Sequence, residues 1–309
     1  MHNKQKYSLS LDVGGTSIKS AIVADDGEIL HESYCQTSID SKGSLEEIIG
    51  TFSKVIAESF KLAKSTSIEI AGIGIGMPGP FDYENGISYI KDVDKYEAIY
   101  GVNLKKELRQ RIDFTDDFPI FFENDAWAFV RGEAWQGAGK GFHRIIGLTM
   151  GTGLGSGFMV DDEMVDSGRG IPPLAWIGGL RWGDGIVDDR ISRRGIIARY
   201  RELCHEKSEH VDVKEIAGRA ESGEMYAITV FNETGAILGQ MLKSVAELFR
   251  AECVIIGGKI AYSYPLFESA LKAGFQSPIK IIQAKNIEQS ALLGASRFLF
   301  KQLARFLLV

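Results

Sequence analysis

Apolar and small residues alternate from Tyr7 to Val13, break at Gly14-Gly15 and resume over residues 18–24. That is the pattern of two half-buried strands joined by a tight turn. Asp25-Asp26-Gly27 carries turn chemistry, and residues 28–35 are expected as a third strand. Residues 45–62 place apolar side chains at helical spacing, residues 68–75 read as a buried strand, and residues 104–112 as a short helix. Residues 119–122 form a further expected strand. Asn124 or Asp125 then caps a helix running to about Trp135.

The pattern restarts at residues 144–150, an apolar strand followed by a glycine hairpin over 151–157 and more strand at 158–160. Asp161-Asp162-Glu163 turns the chain into residues 164–166, and residues 168–190, rich in Gly, Pro and Trp, read as an irregular excursion. Helical periodicity returns at residues 191–203 and 226–249. A short strand at 254–256 precedes Gly257-Gly258, and residues 289–300 make a final helix. Each half thus opens with strand, glycine turn and strand before helices and strands alternate. This predicts two related α/β lobes around a cleft. The expected lobes are residues 1–125 together with the C-terminal helix 289–309, and residues 126–288, with the junction falling between Asp125 and Gly141.

A chain of 309 residues has room for two such lobes. A formal net charge of −6 argues against a nucleic-acid partner, since phosphate backbones are gripped by concentrated Lys and Arg. No secretory pattern and no apolar run of bilayer length stands in the sequence, so no membrane partner is expected. The scattered Cys35, Cys204 and Cys253 suit reduced thiols and a cytoplasmic location. His205 and His210 lie near Cys204, but without a second Cys pair they read as helix surface, not as a metal site.

Two segments carry chemistry. In Asp12-Val13-Gly14-Gly15-Thr16-Ser17-Ile18-Lys19, the glycines let backbone N–H groups converge on a phosphate, with a hydroxyl from Thr16 and charge from Lys19. Asp12, ending the first strand, suits a hydrated Mg²⁺ beside those phosphates. In Gly151-Thr152-Gly153-Leu154-Gly155-Ser156-Gly157, alternating glycines strip one hairpin face of side chains, which makes sense if a ligand must approach the backbone. Taken alone, either could be an ordinary turn. Together they predict a polyphosphate gripped by one hairpin from each lobe.

Two other glycine patterns fail. Gly74, Gly76 and Gly79 match a dinucleotide fingerprint, but Pro78, Pro80 and the turn residues that follow exclude the required helix start. Gly139-Lys140-Gly141 lacks the first glycine and the hydroxyl residue of a Walker loop. Glu123-Asn124-Asp125 sits between strand and helix. Its residues are either caps or a pair in which Asn124 holds a substrate hydroxyl and Asp125 accepts its proton. A carboxylate at a helix N-terminus is expected to be a stabilised anion and therefore a weak base. Phosphoryl transfer tolerates that, because it asks mainly for positioning and charge neutralisation.

Asp12 to Lys19, Gly76-Met77-Pro78-Gly79-Pro80, Glu123 to Ala126, Gly151 to Gly157 and Val254 to Gly258 together resemble the ROK family in order and spacing over nearly the whole chain. The resemblance implies an α/β, two-lobed actin-like sugar-kinase ATPase fold with a ribonuclease H-like motif in each lobe. It also implies Mg-ATP-dependent phosphorylation of a hexose or hexose derivative, and a homodimer. It would give the phosphates to Asp12, Gly14, Gly15, Thr16, Lys19, Gly151, Thr152, Gly153 and Gly155. Adenosine would go to Gly257 and Gly258, the sugar to Gly79, Asn124 and Asp125, and the catalytic proton to Asp125.

The departures are specific. Family kinases usually carry Gly-Glu-Ile-Gly-His after the second hairpin, with Glu and His facing the sugar. Here Ala175-Trp176-Ile177-Gly178-Gly179 stands in its place. The cysteine cluster that holds zinc in many members is missing too, so no zinc is expected. Loss of two polar partners should redirect or weaken sugar choice. Trp176 or Trp182 could stack on a sugar, although packing is the plainer role. Arg190, Arg193, Arg194 and Arg199 read first as a solvated face paired with nearby acids. A sugar kinase is the leading expectation and a non-catalytic sugar or nucleotide sensor the alternative. A repressor is not expected, since strand sequence from Tyr7 leaves no room for an N-terminal helix-turn-helix.

Overall fold

The computed structural model describes residues 5–93, 95–205 and 211–306. His210 falls outside them. The chain forms two compact units, one running to Gln136 and taking in the chain from Gln289, the other spanning Gly137–Glu288. No helix among the described residues is long and apolar enough to cross a membrane.

The first unit contains β1 (Tyr7–Val13), β2 (Ser17–Ala24), β3 (Cys35–Ser38), α1 (Leu45–Ser65), β4 (Ile70–Met77), the small pair β5 (Phe81–Asp82) and β6 (Ile87–Ser88), α2 (Leu104–Ile112), β7 (Ile120–Asn124) and α3 (Asp125–Gln136). Its sheet runs β3-β2-β1-β4-β7. The first three strands form an antiparallel meander, and β4 and β7 lie parallel to β1. Ser44 starts α1 with a capping box: its hydroxyl accepts from the Glu47 N–H while the Glu47 carboxylate accepts from the Ser44 N–H.

The third strand is Cys35–Ser38, not residues 28–35 as expected. The Ser33 hydroxyl accepts from the Ile22 N–H at 2.8 Å and donates to the Leu30 carbonyl at 2.6 Å. A short 3-10 turn over His31–Ser33 results, so the pairing with β2 that begins at the Val23–Ile29 bridge is interrupted and resumes where Cys35 meets Ser20.

The second unit contains β8 (Arg144–Met150), β9 (Leu154–Val160), β10 (Glu163–Val165), β11 (Arg181–Trp182), β12 (Gly185–Ile186), α4 (Asp188–Ile191), α5 (Arg193–Cys204), α6 (Val213–Glu221), α7 (Met225–Phe249), β13 (Cys253–Gly257), α8 (Tyr264–Phe275) and β14 (Lys280–Gln283). Its sheet order, β10-β9-β8-β13-β14, repeats the first unit's meander-plus-two-parallel plan. Each unit has its own apolar core, around Leu11, Phe52, Ile75 and Phe122 in the first and around Leu148, Phe158, Phe231 and Ile256 in the second.

The last helix, α9 (Ser290–Phe306), packs on α3 in the first unit. A Cβ at Gly294 would lie 1.7 Å from the Ala128 carbonyl oxygen, so the two helices meet backbone to backbone. Across the same seam, the Arg131 guanidinium lies 5.2 Å from the Phe298 ring centroid and pairs with buried Glu123 at 3.0 Å. These contacts keep α3 in the first unit, so the boundary falls at Gln136 and not before the helix that Asp125 opens.

Candidate active site

In the first unit, β1 and β2 meet in the turn that carries the first glycine motif. The Gly14 N–H donates to the Ser17 carbonyl at 2.9 Å, and Gly14 and Thr16 stand exposed at the tip. Asp12 and Lys19 are direct register partners on the two strands, and their charged ends lie 3.7 Å apart. Part of the Lys19 charge is thus already committed to Asp12.

The parallel strands bring the other sequence-predicted residues to the same sheet ends. Gly76 on β4 is level with Asp12 on β1, and Met77 is level with Asn124 on β7. A Cβ at Gly76 would sit 3.7 Å from the Asp125 Cα, so the glycine lets α3 start directly behind β4. Gly79 lies close to the Tyr83 hydroxyl, which donates to the Met77 carbonyl at 3.2 Å and accepts from the Asn124 amide at 3.1 Å. Gly79, Tyr83 and Asn124 therefore form one cluster. Burial raises the Tyr83 pKa well above its ordinary value, with the carboxylates of Asp125 and Glu123 pushing the same way and the Asn124 bond opposing.

Asn124 is the cap foreseen from sequence. Its side-chain oxygen accepts from the N–H groups of Ala126 and Trp127 at 3.1 and 3.3 Å. Asp125, half-buried, accepts from the Ala126 N–H at 2.9 Å. Here the expectation of a weak base is overturned. Desolvation raises the Asp125 pKa and outweighs the lowering effects of Lys95 and of the helix N–H groups. A carboxylate that sequence makes an easily held anion is, in its folded surroundings, a stronger base.

Lys95 and Tyr96 were not foreseen. Tyr96 is fully buried, and its phenol donates to the Gly14 carbonyl at 2.6 Å. Its N–H donates to Ser41 at 2.6 Å, holding it in the left-handed region at φ 57°. Beside it, the Lys95 stem passes within 3.8 Å of the position a Gly15 Cβ would occupy. The local sequence, Asp92 to Ile99, has no period that would mark it.

The second unit carries the other hairpin. Its turn is Gly151–Gly153, closed by the Gly151 N–H donating to the Gly153 carbonyl at 3.0 Å, while Gly155 lies in β9 opposite Thr149. Thr152 and Gly153 are exposed. Gly257 is level with Thr149, and Gly258, at φ 80°, packs so closely that a Cβ would lie 2.4 Å from the Met150 carbonyl. Gly257 and Gly258 thus adjoin the start of this turn.

Buried Asp188 was also missed. It accepts from the Leu154 N–H at 2.5 Å and from Arg194 at 2.7 Å, and the Arg193 N–H donates to the Gly151 carbonyl at 2.9 Å. The start of α4 and α5 therefore braces the glycine turn. Burial pushes the Asp188 pKa up, against the Leu154 and Arg194 interactions that lower it. The arginine cluster is paired throughout: Arg190 with Asp184, Arg193 with Asp212, Arg194 with Asp188 and Asp189, Arg199 with Glu233 and Glu202.

Residues 175–179 form a strap over β9. Ser156 donates to the Ala175 carbonyl at 2.7 Å and accepts from the Ile177 N–H at 2.9 Å. The Trp176 indole donates to the Leu154 carbonyl at 2.8 Å and lies flat against Gly178 and Gly179, where a Cβ at Gly179 would come within 2.6 Å of the ring. The tryptophan thus fills the space that a side chain at position 179 would need. The ring packs against the glycine hairpin on one side and the residue is 39% exposed. Trp182 is partly buried and packs against the second core.

The glucokinase of Thermotoga maritima is 26% identical, covering 93% of this chain and 95% of that protein. The xylose repressor of Caldicellulosiruptor bescii is 23% identical, covering 91% and 72%. Among solved structures, a ROK family glucokinase from Streptomyces griseus, in complex with glucose and AMPPNP, superposes with a TM-score of 0.76 at 21% identity, covering 96% and 99%. The fold is accordingly the actin-like ATPase fold of the sugar kinases. The ROK family pattern matches residues 8–174 and 183–302. The gap falls on the strap that carries Trp176 and Gly179. On both sides of it the match is continuous, and this chain belongs to the ROK family.

Proposed function

We propose that this protein transfers the terminal phosphoryl group of Mg-ATP to a hydroxyl of a small sugar, with Asp125 accepting the hydroxyl proton. The observation that carries the reading is the placement of Asp125. It sits at the first turn of α3, partly open to solvent, beside the strand ends that hold Asp12, with a pKa raised by burial. A carboxylate so placed is a better proton acceptor than a free one, while its N–H partners fix its direction.

Each unit by itself offers supporting parts. Gly14, Gly15 and Thr16 offer an exposed backbone turn for phosphate oxygens, with Lys19 behind it. Gly151, Thr152, Gly153 and Gly155 offer a second, and buried Gly257 and part-buried Gly258, next to the start of that turn, would adjoin the adenosine. Gly79 and Asn124 would meet sugar hydroxyls. The Asn124 amide donates one hydrogen to Tyr83 and has a second to offer. Relatives and neighbours that are a glucokinase or a glucokinase in complex with glucose and AMPPNP favour the same reading.

The donor set suits Mg²⁺. No group of three or more His, Cys, Asp or Glu side chains converges among the described residues. Asp12 offers a single hard oxygen ligand at a strand end, and Mg²⁺ commonly binds through one carboxylate, phosphates and water. When bound there it would neutralise phosphate charge. A homodimer follows from the family resemblance alone.

A screen of hexoses, hexosamines and their N-acetyl derivatives with Mg-ATP tests the proposal. ADP should form with one sugar class only, and Asp125→Asn should lower kcat by about 10²–10⁴-fold while nucleotide binding is kept. Normal turnover by that variant would remove Asp125 from the role of base.

One observation favours a second reading, a sugar or nucleotide sensor without efficient turnover: the family pattern lapses at 175–182, where by the resemblance Trp176 and Gly179 stand in for a Glu and a His. Saturable sugar binding with no ADP above background would support it.

A further inference from the structure

The reading of a kinase leaves open what neutralises the phosphoryl group on the side where it meets the acceptor. Lys19 is engaged with Asp12 at 3.7 Å, and both sit on the β1–β2 pair behind the turn. Lys95 is placed differently. Its stem runs past Gly15, where a Cβ would lie 3.8 Å from its Cδ.

Its position is held from the adjacent residue. Tyr96 is fully buried, tied through its N–H to Ser41 and through its phenol to Gly14, and kept in a left-handed conformation that few non-glycine residues adopt. Such an outlier persists only where the surroundings over-determine it. What it achieves here is to pin Lys95 beside the phosphate turn. The positive charge of Lys95 also acts on Asp125, lowering its pKa against the larger effect of burial.

We propose that Lys95, resting on the kinase reading, is the residue that binds the terminal phosphoryl oxygens as that group passes to the sugar hydroxyl. In that step the sugar oxygen forms a bond to the γ-phosphorus and its proton goes to the Asp125 carboxylate. The bond from the γ-phosphorus to the β–γ bridging oxygen breaks, and ADP departs with the electron pair. Negative charge spreads over the three equatorial oxygens. A lysine aimed at them adds a charge-assisted bond that ADP, lacking that phosphate, cannot form. The stem lies within ordinary contact range of Gly15, and an ammonium at its end carries three donors.

The test separates the terminal phosphate from the rest of the nucleotide. Affinities of the full chain for AMPPNP and for ADP, each with Mg²⁺, are measured by calorimetry for the wild type, Lys95→Met and Lys95→Arg. Lys95→Met should weaken AMPPNP by about 10- to 100-fold, the worth of one charged hydrogen bond. It should leave ADP within about twofold, and Lys95→Arg should recover most of the loss because it keeps the charge. Retained ADP binding doubles as the folding control. Should Lys95→Met not fold, the Lys95→Gln variant takes its place in the same comparison. An unchanged AMPPNP-to-ADP ratio overturns the proposal, as does a wild type that binds neither nucleotide. Sugar-dependent ADP formation by the wild type is recorded in parallel. If it is absent while the ratio shifts as expected, the kinase reading falls and Lys95 stands as a terminal-phosphate ligand. If it is present and the ratio does not shift, the kinase stands and Lys95 falls.

Discussion

The phenol of Tyr96 donates to the carbonyl of Gly14 at 2.6 Å, joining the first glycine turn to a residue 82 positions downstream. The bond explains why a turn with so little side chain of its own holds its shape. Burial, and then the Asp12 carboxylate, push the Tyr96 pKa well above the ordinary range, so the phenol stays a donor at any working pH. Tyr96→Phe removes only the hydroxyl. Gly14 is exposed, so water can replace the lost partner, and the stability cost should be modest, about 0.5–1.5 kcal/mol. The KM for ATP should rise several-fold while the KM for sugar stays put. Equal rises in both would show that the phenol supports the whole unit instead of the turn.

Asp125 makes a pH prediction whose sign follows from its surroundings. Burial raises its pKa, and Lys95 and the N–H groups only partly offset this. The proton-accepting form is therefore lost, as pH falls, at a higher pH than for a free aspartate. The acid limb of kcat/KM should lie above the usual aspartate range. Lys95→Met should move it further up, since the charge that lowers the pKa is gone. The folded pKa also exceeds the unfolded one. The stability tied to this group is fully present below the unfolded pKa and is lost as pH rises through the folded pKa. Asp125→Asn does not ionise, so its Tm advantage over the wild type should widen from acid to neutral pH. A constant difference across that range would mean that the carboxyl is not desolvated.

Much of this site was legible because its signals are local. The β1–β2 turn, the glycine alternation at 151–157 and the Asn124 cap depend on residues adjacent in sequence, and each lies in the expected element. What escaped depends on tertiary placement. Lys95 and Tyr96 lie in a segment without period, and Asp188 matters only because α4 starts behind Leu154. The sign of the Asp125 shift was misjudged for the same reason: a helix N-terminus can be seen in sequence, whereas the atoms that desolvate the carboxyl cannot. The interruption before β3 turns on one hydroxyl, Ser33, reaching Ile22 on β2 and the Leu30 carbonyl. Helices α6 and α8 and strand β14 are not marked by the sequence pattern: α6, nine residues long, and β14, four residues long, are too short for a period to stand out.

The strap at 175–179 yields a coupled pair of substitutions. Gly179→His alone drives a Cβ to within 2.6 Å of the Trp176 ring and should cost about 1–3 kcal/mol by overpacking. Trp176→Glu alone gives up the indole bond to Leu154 but clears the space. The double variant should be more stable than the sum of the two single costs, because the collision is gone. It also restores the two polar groups usual in the family's kinases, and turnover on an unmodified hexose should rise by about 10-fold or more. A double variant that behaves additively in both stability and sugar choice would show that Trp176 and position 179 do not share one space.

Two glycine-to-alanine changes should act in opposite directions. At Gly294 on α9 the added methyl would meet the Ala128 carbonyl at 1.7 Å, a backbone contact that no rotamer relieves. The helices must separate, at about 1–3 kcal/mol or more. Because α3 carries Asp125 at its start, kcat should fall along with Tm. At Gly50, inside α1, a Cβ meets nothing within 4 Å. Alanine there reduces the freedom of the unfolded chain and should stabilise by about 0.5–1 kcal/mol, with kcat unchanged. Thermal unfolding and turnover of the two variants side by side decide the matter. If Gly294→Ala unfolds at the wild-type temperature, the close seam between α3 and α9 is not as described.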